Sequence, residues 1–146
     1  MDIPLSVLAE TITESCICQF RNIAHVHSKS PHYHVIITTK NKDSIVICHI
    51  TKQIENKIWY YHRANNEKAI TCLVRVDTTD LDFLTEESII ECNQAEIILK
   101  QEFANIVHPS HGCQLIAPTI STDLENKIKE AILSSPLVKP FIKNAL

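Results

Sequence analysis

The most constraining feature of the sequence is a hairpin pattern between residues 33 and 50. Two runs rich in β-branched and aromatic residues, 33–39 and 44–50, flank the polar stretch 40–43. Such runs around a short polar segment predict two antiparallel strands joined by a turn. The second run is almost continuously apolar, so we expect its strand to be buried on both faces at the centre of a sheet.

The flanking segments predict more strands between two helices. Strands or their flanks are predicted at residues 16–20, 58–61, 69–76 and 88–98. Apolar residues at helical spacing predict helices over residues 4–12 and about 122–134, the second capped by Ser121. We therefore expect one domain over residues 1–146, mainly β with flanking helices (α+β), built as a small antiparallel barrel.

The glycine content and the charge exclude several functions. The only glycine is Gly112, which excludes the glycine-rich phosphate loops of Walker and dinucleotide-binding proteins. The net charge of −3 and the pI near 6.2 argue against a nucleic-acid coat protein, which carries a basic stripe. The net charge and the pI do not exclude an enzyme that has only a local cationic cleft.

The six cysteines have two interpretations. An even number in a small chain is compatible with three disulfides, but residues 1–4 lack the basic start and apolar run of a secretory signal. We therefore expect free thiols, mostly in the core, and a cytoplasmic location. No uninterrupted apolar run of about 18 residues is present, so we expect no membrane span and no membrane partner.

Histidines are concentrated around the hairpin, at His25, His27, His32, His34 and His49. Residues two apart on a strand share a face, so His32 and His34 can point the same way. Imidazoles beside a thiolate are adequate zinc ligands, but no ligand pair here has an established zinc spacing. We expect no metal and no cofactor, and favour solvated histidines beside core cysteines. Cys48 and His49 are adjacent on a strand, so they face opposite sides and cannot form a catalytic dyad.

Four segments occur in an order and spacing found in a known family. They are residues 31–37, 49–51, 83–95 and 120–135. In this order the chain resembles the MazF/PemK-like family of toxin ribonucleases, over roughly residues 15–135. The resemblance implies an SH3-like barrel with a C-terminal helix, a homodimer, and metal-independent cleavage of single-stranded RNA. It also implies neutralisation by an antitoxin protein that lies in the cleft.

The resemblance implies catalytic roles for two residues. Thr51 lies where the family keeps a Thr or Ser that contacts the scissile phosphate. His32 lies where the toxins usually carry an Arg. With an unperturbed pKa of about 6.5, an imidazole can serve as the acid or the base that metal-free RNA cleavage needs. His32 and Thr51 are therefore the candidate catalytic residues.

Further residues are candidates for binding the substrate. Lys52 follows Thr51 and can hold a phosphate, while Trp59, with its tyrosine neighbours, can stack on unpaired bases. Residues 91–94 resemble a stretch that is Arg-Cys-Asp-Gln in some active family members, which implies that Asn93 and Gln94 bind substrate.

Two substitutions in this stretch leave two functions open. Glu91 stands in place of the cation and would repel a phosphate, and Asn93 stands in place of the acid. The first hypothesis is a toxin-like endoribonuclease. The second is a catalytically inactive barrel that serves as a protein or nucleic-acid interaction module.

Overall fold

A computed structural model describes residues 4–25 and 29–146 and contains one antiparallel sheet flanked by helices. The strands are β1 (Cys16–Phe20), β2 (His32–Thr38), β3 (Ser44–Thr51), β4 (Leu73–Val76), β5 (Ser88–Glu91), β6 (Glu96–Leu99) and β7 (Gln114–Ala117). The helices are α1 (Leu5–Thr11), α2 (Ile54–Arg63), α3 (Glu67–Ile70), α4 (Phe103–Ile106), α5 (Thr122–Ser134) and α6 (Pro140–Ala145). The predicted α+β class with antiparallel strands is confirmed.

The sheet is open. Its strands follow the order β4-β5-β3-β2-β1-β7, and β6 also pairs with β3. One edge of β3 pairs with β2, while the other is divided between β6, at residues 44–47, and β5, at Ile50 and Thr51. In this order β4 and β7 lie at the two opposite edges of the sheet. No pairing among the described residues joins them, so the expectation of a closed barrel is wrong.

The central strand β3 is buried on both faces, as its continuous apolar run predicted. Val46 and Cys48 of β3 face a core that includes Leu124 and Ile128 of α5. Ile45 and Ile47 face the other way, into a core that includes residues of α1 and α4. The continuous apolar run therefore reflects helices on both sides of one strand.

The segment predicted as a short strand at residues 58–61 is instead part of α2. Lys57 and Ile58 are half-buried and Tyr61 is buried, whereas Trp59 and Tyr60 are exposed. This spacing of three to four residues places one helical face against the protein. The aromatic composition favoured a strand, but the amphipathic period is that of a helix.

Two predicted strands are shorter than expected. Of residues 69–76, only Leu73–Val76 is a strand, because Asn66 caps the short helix α3 by accepting a hydrogen bond from the Ala69 N–H. Residues 88–98 are interrupted by a 3₁₀ turn at Cys92–Gln94, where the Glu91 side chain accepts from the Asn93 N–H. The predicted helix over 122–134 is confirmed, with Ser121 as its N-cap.

The six cysteines are free and buried, which confirms the prediction of core thiols. Cys16 and Cys18 belong to the core beside α1, and Cys48, Cys72 and Cys92 belong to the core beside α5. Among the helices formed by residues 4–25 and 29–146, none has the length and apolar composition needed to cross a lipid bilayer.

Candidate functional site

The two predicted catalytic residues lie at the same end of the central hairpin. The pairing of β2 with β3 ends at His34 and His49, which lie directly opposite each other. His32 is two residues before His34, and Thr51 is two residues after His49. Because alternate residues of a strand share a face, His32, His34, His49 and Thr51 belong to one face at this end of the sheet.

Four imidazoles, those of His25, His32, His34 and His49, form a group that we call the imidazole cluster. The His25 ring centroid lies 5.3 Å from that of His49 and 6.4 Å from that of His34. The His34 ring also stacks on Phe20, at 3.9 Å between centroids. The fifth histidine of the predicted group, His27, lies outside the described residues.

His34 is buried, which corrects the expectation that these histidines are solvated. Its Nδ1 lies 2.9 Å from the backbone oxygen of His32. A carbonyl oxygen only accepts, so Nδ1 carries the hydrogen and Nε2 has the lone pair. Within the described residues, Nε2 has no hydrogen-bond partner.

The imidazole cluster is held largely uncharged. Burial, with a smaller effect of His49, lowers the pKa of His34 to about 3. Burial, followed by the nearby Lys57 ammonium, lowers the pKa of His49 to about 3. Burial and the neighbouring His25 lower the pKa of His32. At neutral pH these three rings are neutral, so each has one N–H and one lone pair, and the N–H of His34 is donated to the His32 oxygen.

The described side chains do not form a metal centre. Within residues 4–25 and 29–146, no group of three or more His, Cys, Asp or Glu side chains is placed to hold a metal ion.

Glu91 is fully buried, and both of its carboxylate oxygens are bound within the protein. The Tyr61 hydroxyl donates to Oε2 at 2.9 Å, and Lys57 Nζ lies 3.4 Å from the same oxygen. The backbone N–H and Nδ2 of Asn93 donate to Oε1 at 3.1 and 3.0 Å. Burial and the Glu91 charge raise the pKa of Tyr61, so its hydroxyl remains a donor. The Glu91 charge is thus paired inside the protein and does not face a phosphate cleft.

Asn93 is a buried connector between elements. Its Nδ2 donates to the Ala69 carbonyl at 2.8 Å as well as to Glu91, and its Oδ1 accepts from the Ser135 hydroxyl at 2.7 Å. The side chain therefore ties the turn at Cys92–Gln94 to α3 and to the end of α5. With these bonds made and the residue buried, it has no open face for a substrate, and we leave Asn93 out of the proposed site. Gln94 is exposed.

Thr51 and Lys52 lie where β3 leads into α2. Thr51 Oγ1 accepts a hydrogen bond from the Gln53 N–H at 3.1 Å. Lys52 is exposed, and its Nζ lies 3.4 Å from Thr85 Oγ1. Lys52 lines a small open cleft of about 340 Å³, together with Arg75 and Glu87. The cationic Lys52 is therefore adjacent in sequence to Thr51, which carries the predicted catalytic hydroxyl.

A larger cleft, of about 1260 Å³, lies apart from these residues. It is lined by α1, by the turn between β2 and β3, and by residues 99–101. Its lining includes neither His32 nor Thr51, so its volume does not bear on the candidate site.

The outer side of α2 carries Trp59, Tyr60 and Arg63. The Arg63 guanidinium carbon lies 4.8 Å from the centre of the Trp59 ring, in a cation–π arrangement. Tyr60 packs edge to face against Tyr61, with ring centroids 5.2 Å apart. Trp59 is thus accessible, as a substrate-binding residue must be.

Two residues of this site are absent from the sequence-based candidates. His49 is adjacent to the catalytic candidates because it lies opposite His34, which the hairpin register alone predicts. Lys57 acts on His49 and on Glu91, but it comes from α2, whose packing has no local sequence signal. No family model matches this sequence, and no curated protein is significantly similar to it.

Proposed function

We propose that the protein is an endoribonuclease that cleaves single-stranded RNA without a metal ion, as its resemblance to MazF/PemK-like toxins implies. The supporting observation is the position of His32 and Thr51 at the same end of β2 and β3, beside His49. This arrangement places an imidazole and a hydroxyl on one face of the sheet. Lys52, whose ammonium is exposed, is the next residue after Thr51 in the sequence.

The proposed reaction uses His32 as the base. Burial lowers the pKa of His32, so its ring is neutral at pH 7 and can accept the proton of a ribose 2′-hydroxyl. The 2′ oxygen then forms a bond to phosphorus while the bond from phosphorus to the 5′ oxygen breaks. The departing 5′ oxygen takes a proton from water and His32 returns its proton to water, which leaves a 2′,3′-cyclic phosphate and a 5′-hydroxyl.

Thr51 and Lys52 stabilise the phosphate in this proposal. Because Thr51 Oγ1 accepts from the Gln53 N–H, its own hydrogen is oriented away from that bond and can be donated to a phosphate oxygen. The exposed Lys52 ammonium offsets the negative charge that develops at phosphorus. The exposed Gln94 and Trp59 contribute to RNA binding.

We also propose the assembly that the resemblance implies. The protein forms a homodimer with an SH3-like arrangement of its strands, and an antitoxin protein binds it in the cytoplasm. Light scattering of the purified chain tests the dimer, and rescue of growth by a co-expressed neighbouring gene tests the antitoxin.

A second candidate is an interaction module that binds RNA or protein without cleavage. Burial of His34 and the engagement of Lys57 by Glu91 favour it, because these groups are then unavailable to a substrate. Glu91 and Asn93, which replace a cation and an acid of active members, are both structural here.

The experiment compares cleavage by four proteins purified in the same way. Wild type, His32→Ala, Thr51→Ala and the control His111→Ala, an exposed histidine outside the site, are incubated with a labelled single-stranded RNA in EDTA. We expect wild type and His111→Ala to cleave, and the other two to lose at least tenfold in rate while circular dichroism shows them folded. Equal cleavage by all four, or none by wild type, contradicts the proposal, and RNA binding without cleavage supports the second candidate.

A further inference from the structure

His49 is an imidazole of the cluster that is open to a ligand. The residue is half-buried, and its ring packs edge to face against His25, with 5.3 Å between centroids. Among the residues that the structure describes, none is hydrogen-bonded to either nitrogen of the His49 ring. Unlike Nε2 of the buried His34, these nitrogens reach solvent. A polar ring that is held in place without a hydrogen-bond partner in the protein can bind a polar group from outside.

His49 lies next to the two proposed catalytic residues. It is opposite His34 in the pairing of β2 with β3. Two residues further along both strands, the same register sets His32 opposite Thr51. Alternate residues of a strand share a face and are about 7 Å apart along it, so His49 is one step from Thr51 on the same face. Because an imidazole extends further from the backbone than a threonine hydroxyl, a phosphate held by Thr51 lies within its reach.

The surroundings of His49 keep its ring neutral. Burial, followed by the charge of Lys57, lowers the pKa of His49 to about 3. His25 and His32 shift this pKa in the same direction to a smaller extent. At neutral pH the ring therefore carries one N–H and one lone pair. The N–H of a neutral imidazole can stabilise developing negative charge by hydrogen bonding, without giving up its proton.

We propose that His49 is a further catalytic residue, whose ring N–H donates a hydrogen bond to a non-bridging oxygen of the scissile phosphate. This inference rests on the proposed function, since it gives His49 a part in the same cleavage. The proton stays on His49 throughout, while His32 accepts the proton of the 2′-hydroxyl and Thr51 binds the other non-bridging oxygen. Two donors on one face of the sheet then stabilise the charge that develops at phosphorus.

Neighbouring polar groups are less suited to this role because they are already engaged. The N–H of His34 is donated to the backbone oxygen of His32, and His34 is buried. The Lys57 ammonium is paired with the buried Glu91 carboxylate. The ring N–H of His49 is therefore the donor that remains for a phosphate at this position.

The test compares variants of His49 on an RNA in which the position cut by wild type has been mapped. Loss of one oxyanion donor costs about a hundredfold to a thousandfold in rate, and His49 is only half-buried, so we expect His49→Ala to cleave roughly a hundredfold more slowly. Glutamine also ends in an N–H donor, so His49→Gln should cleave about tenfold faster than His49→Ala. The control His111→Ala should cleave as wild type does, and circular dichroism should show all variants folded. Should His49→Ala not fold, His49→Phe, which keeps a flat ring without an N–H, takes its place.

Sulfur substitution in the RNA reports on the hydrogen bond itself. Sulfur accepts hydrogen bonds weakly, so a phosphorothioate at the cut position weakens the bond to whichever non-bridging oxygen the sulfur replaces. In wild type, the diastereomer with sulfur facing His49 should be cut more slowly than normal RNA. This slowing should disappear in His49→Ala, whereas that of the other diastereomer should remain. Loss of a merely structural side chain would slow normal RNA and both diastereomers by the same factor.

Each outcome separates this inference from the proposed cleavage. Cleavage by wild type and by His49→Ala at equal rates overturns the inference and leaves the roles of His32 and Thr51 intact. A slow His49→Ala in which both diastereomers keep their wild-type slowing assigns His49 a structural role and also overturns the inference. A wild type that leaves the RNA intact contradicts the proposed function, and the role of His49 is overturned with it.

Discussion

Replacing Glu91 by glutamine tests whether the buried carboxylate holds α2 against the sheet. Glutamine keeps the shape of the side chain but has one acceptor oxygen where the carboxylate has two. Four donor groups converge on that carboxylate, from Tyr61, Lys57 and twice from Asn93. In the variant, the side-chain amide N–H groups face two of these donors.

The expected cost follows from the burial of each partner. Removing one member of a buried ion pair costs about 3–5 kcal/mol, and leaving one buried donor without an acceptor costs about 1–3 kcal/mol. The Lys57 side chain is 23% exposed and can turn to water, so the lower end of the first range applies. We expect Glu91→Gln to decrease the free energy of unfolding by about 3 kcal/mol.

The assay is equilibrium unfolding in urea at pH 7, followed by circular dichroism. The control is Glu87→Gln, just before β5, whose carboxylate lies 2.6 Å from Arg75 but is 52% exposed. Exposed ion pairs contribute little, so the control should lose less than about 1 kcal/mol. If Glu91→Gln decreases the free energy of unfolding as little as Glu87→Gln does, the buried network does not hold α2 against the sheet.

Two further predictions concern other parts of the fold. Lowering the pH from 7 to 5 should decrease the free energy of unfolding by roughly 2 kcal/mol through His34 alone. In the folded protein the His34 pKa of about 3 keeps the ring neutral at pH 5. In the unfolded chain its pKa is about 6.5, so the ring binds a proton over this range. Stability is therefore fully present above pH 6.5 and is lost as the pH falls toward 3, and urea unfolding of His34→Phe at both pH values should show a smaller decrease; an equal decrease would contradict this. Ser121→Ala should lose about 1 kcal/mol in the same assay, because the Ser121 hydroxyl accepts from the Leu124 N–H at 3.1 Å, whereas Ser134→Ala at the exposed end of α5 should lose little.

The position of the two catalytic candidates follows from local sequence. The hairpin pattern predicts β2 and β3, and its register brings His32 and Thr51 to the same end of two adjacent strands. The segment at residues 58–61 shows the limit of such local patterns. Its aromatic composition suits a strand, but half-buried Lys57 and Ile58 and buried Tyr61 follow the period of a helix packed on one side.

The sequence by itself determined the hairpin, its central place in the sheet and the helix capped by Ser121, because β-branched runs, short turns and caps act over a few residues. Tertiary structure alone decided the roles of Glu91 and Asn93. From the sequence, Glu91 is an anion where a phosphate site needs a cation. In the folded protein its charge is paired with Lys57, and Asn93 is a buried connector to Ser135. These partners are more than 30 residues away along the chain, so only the packing of α2 and α5 on the sheet brings them together.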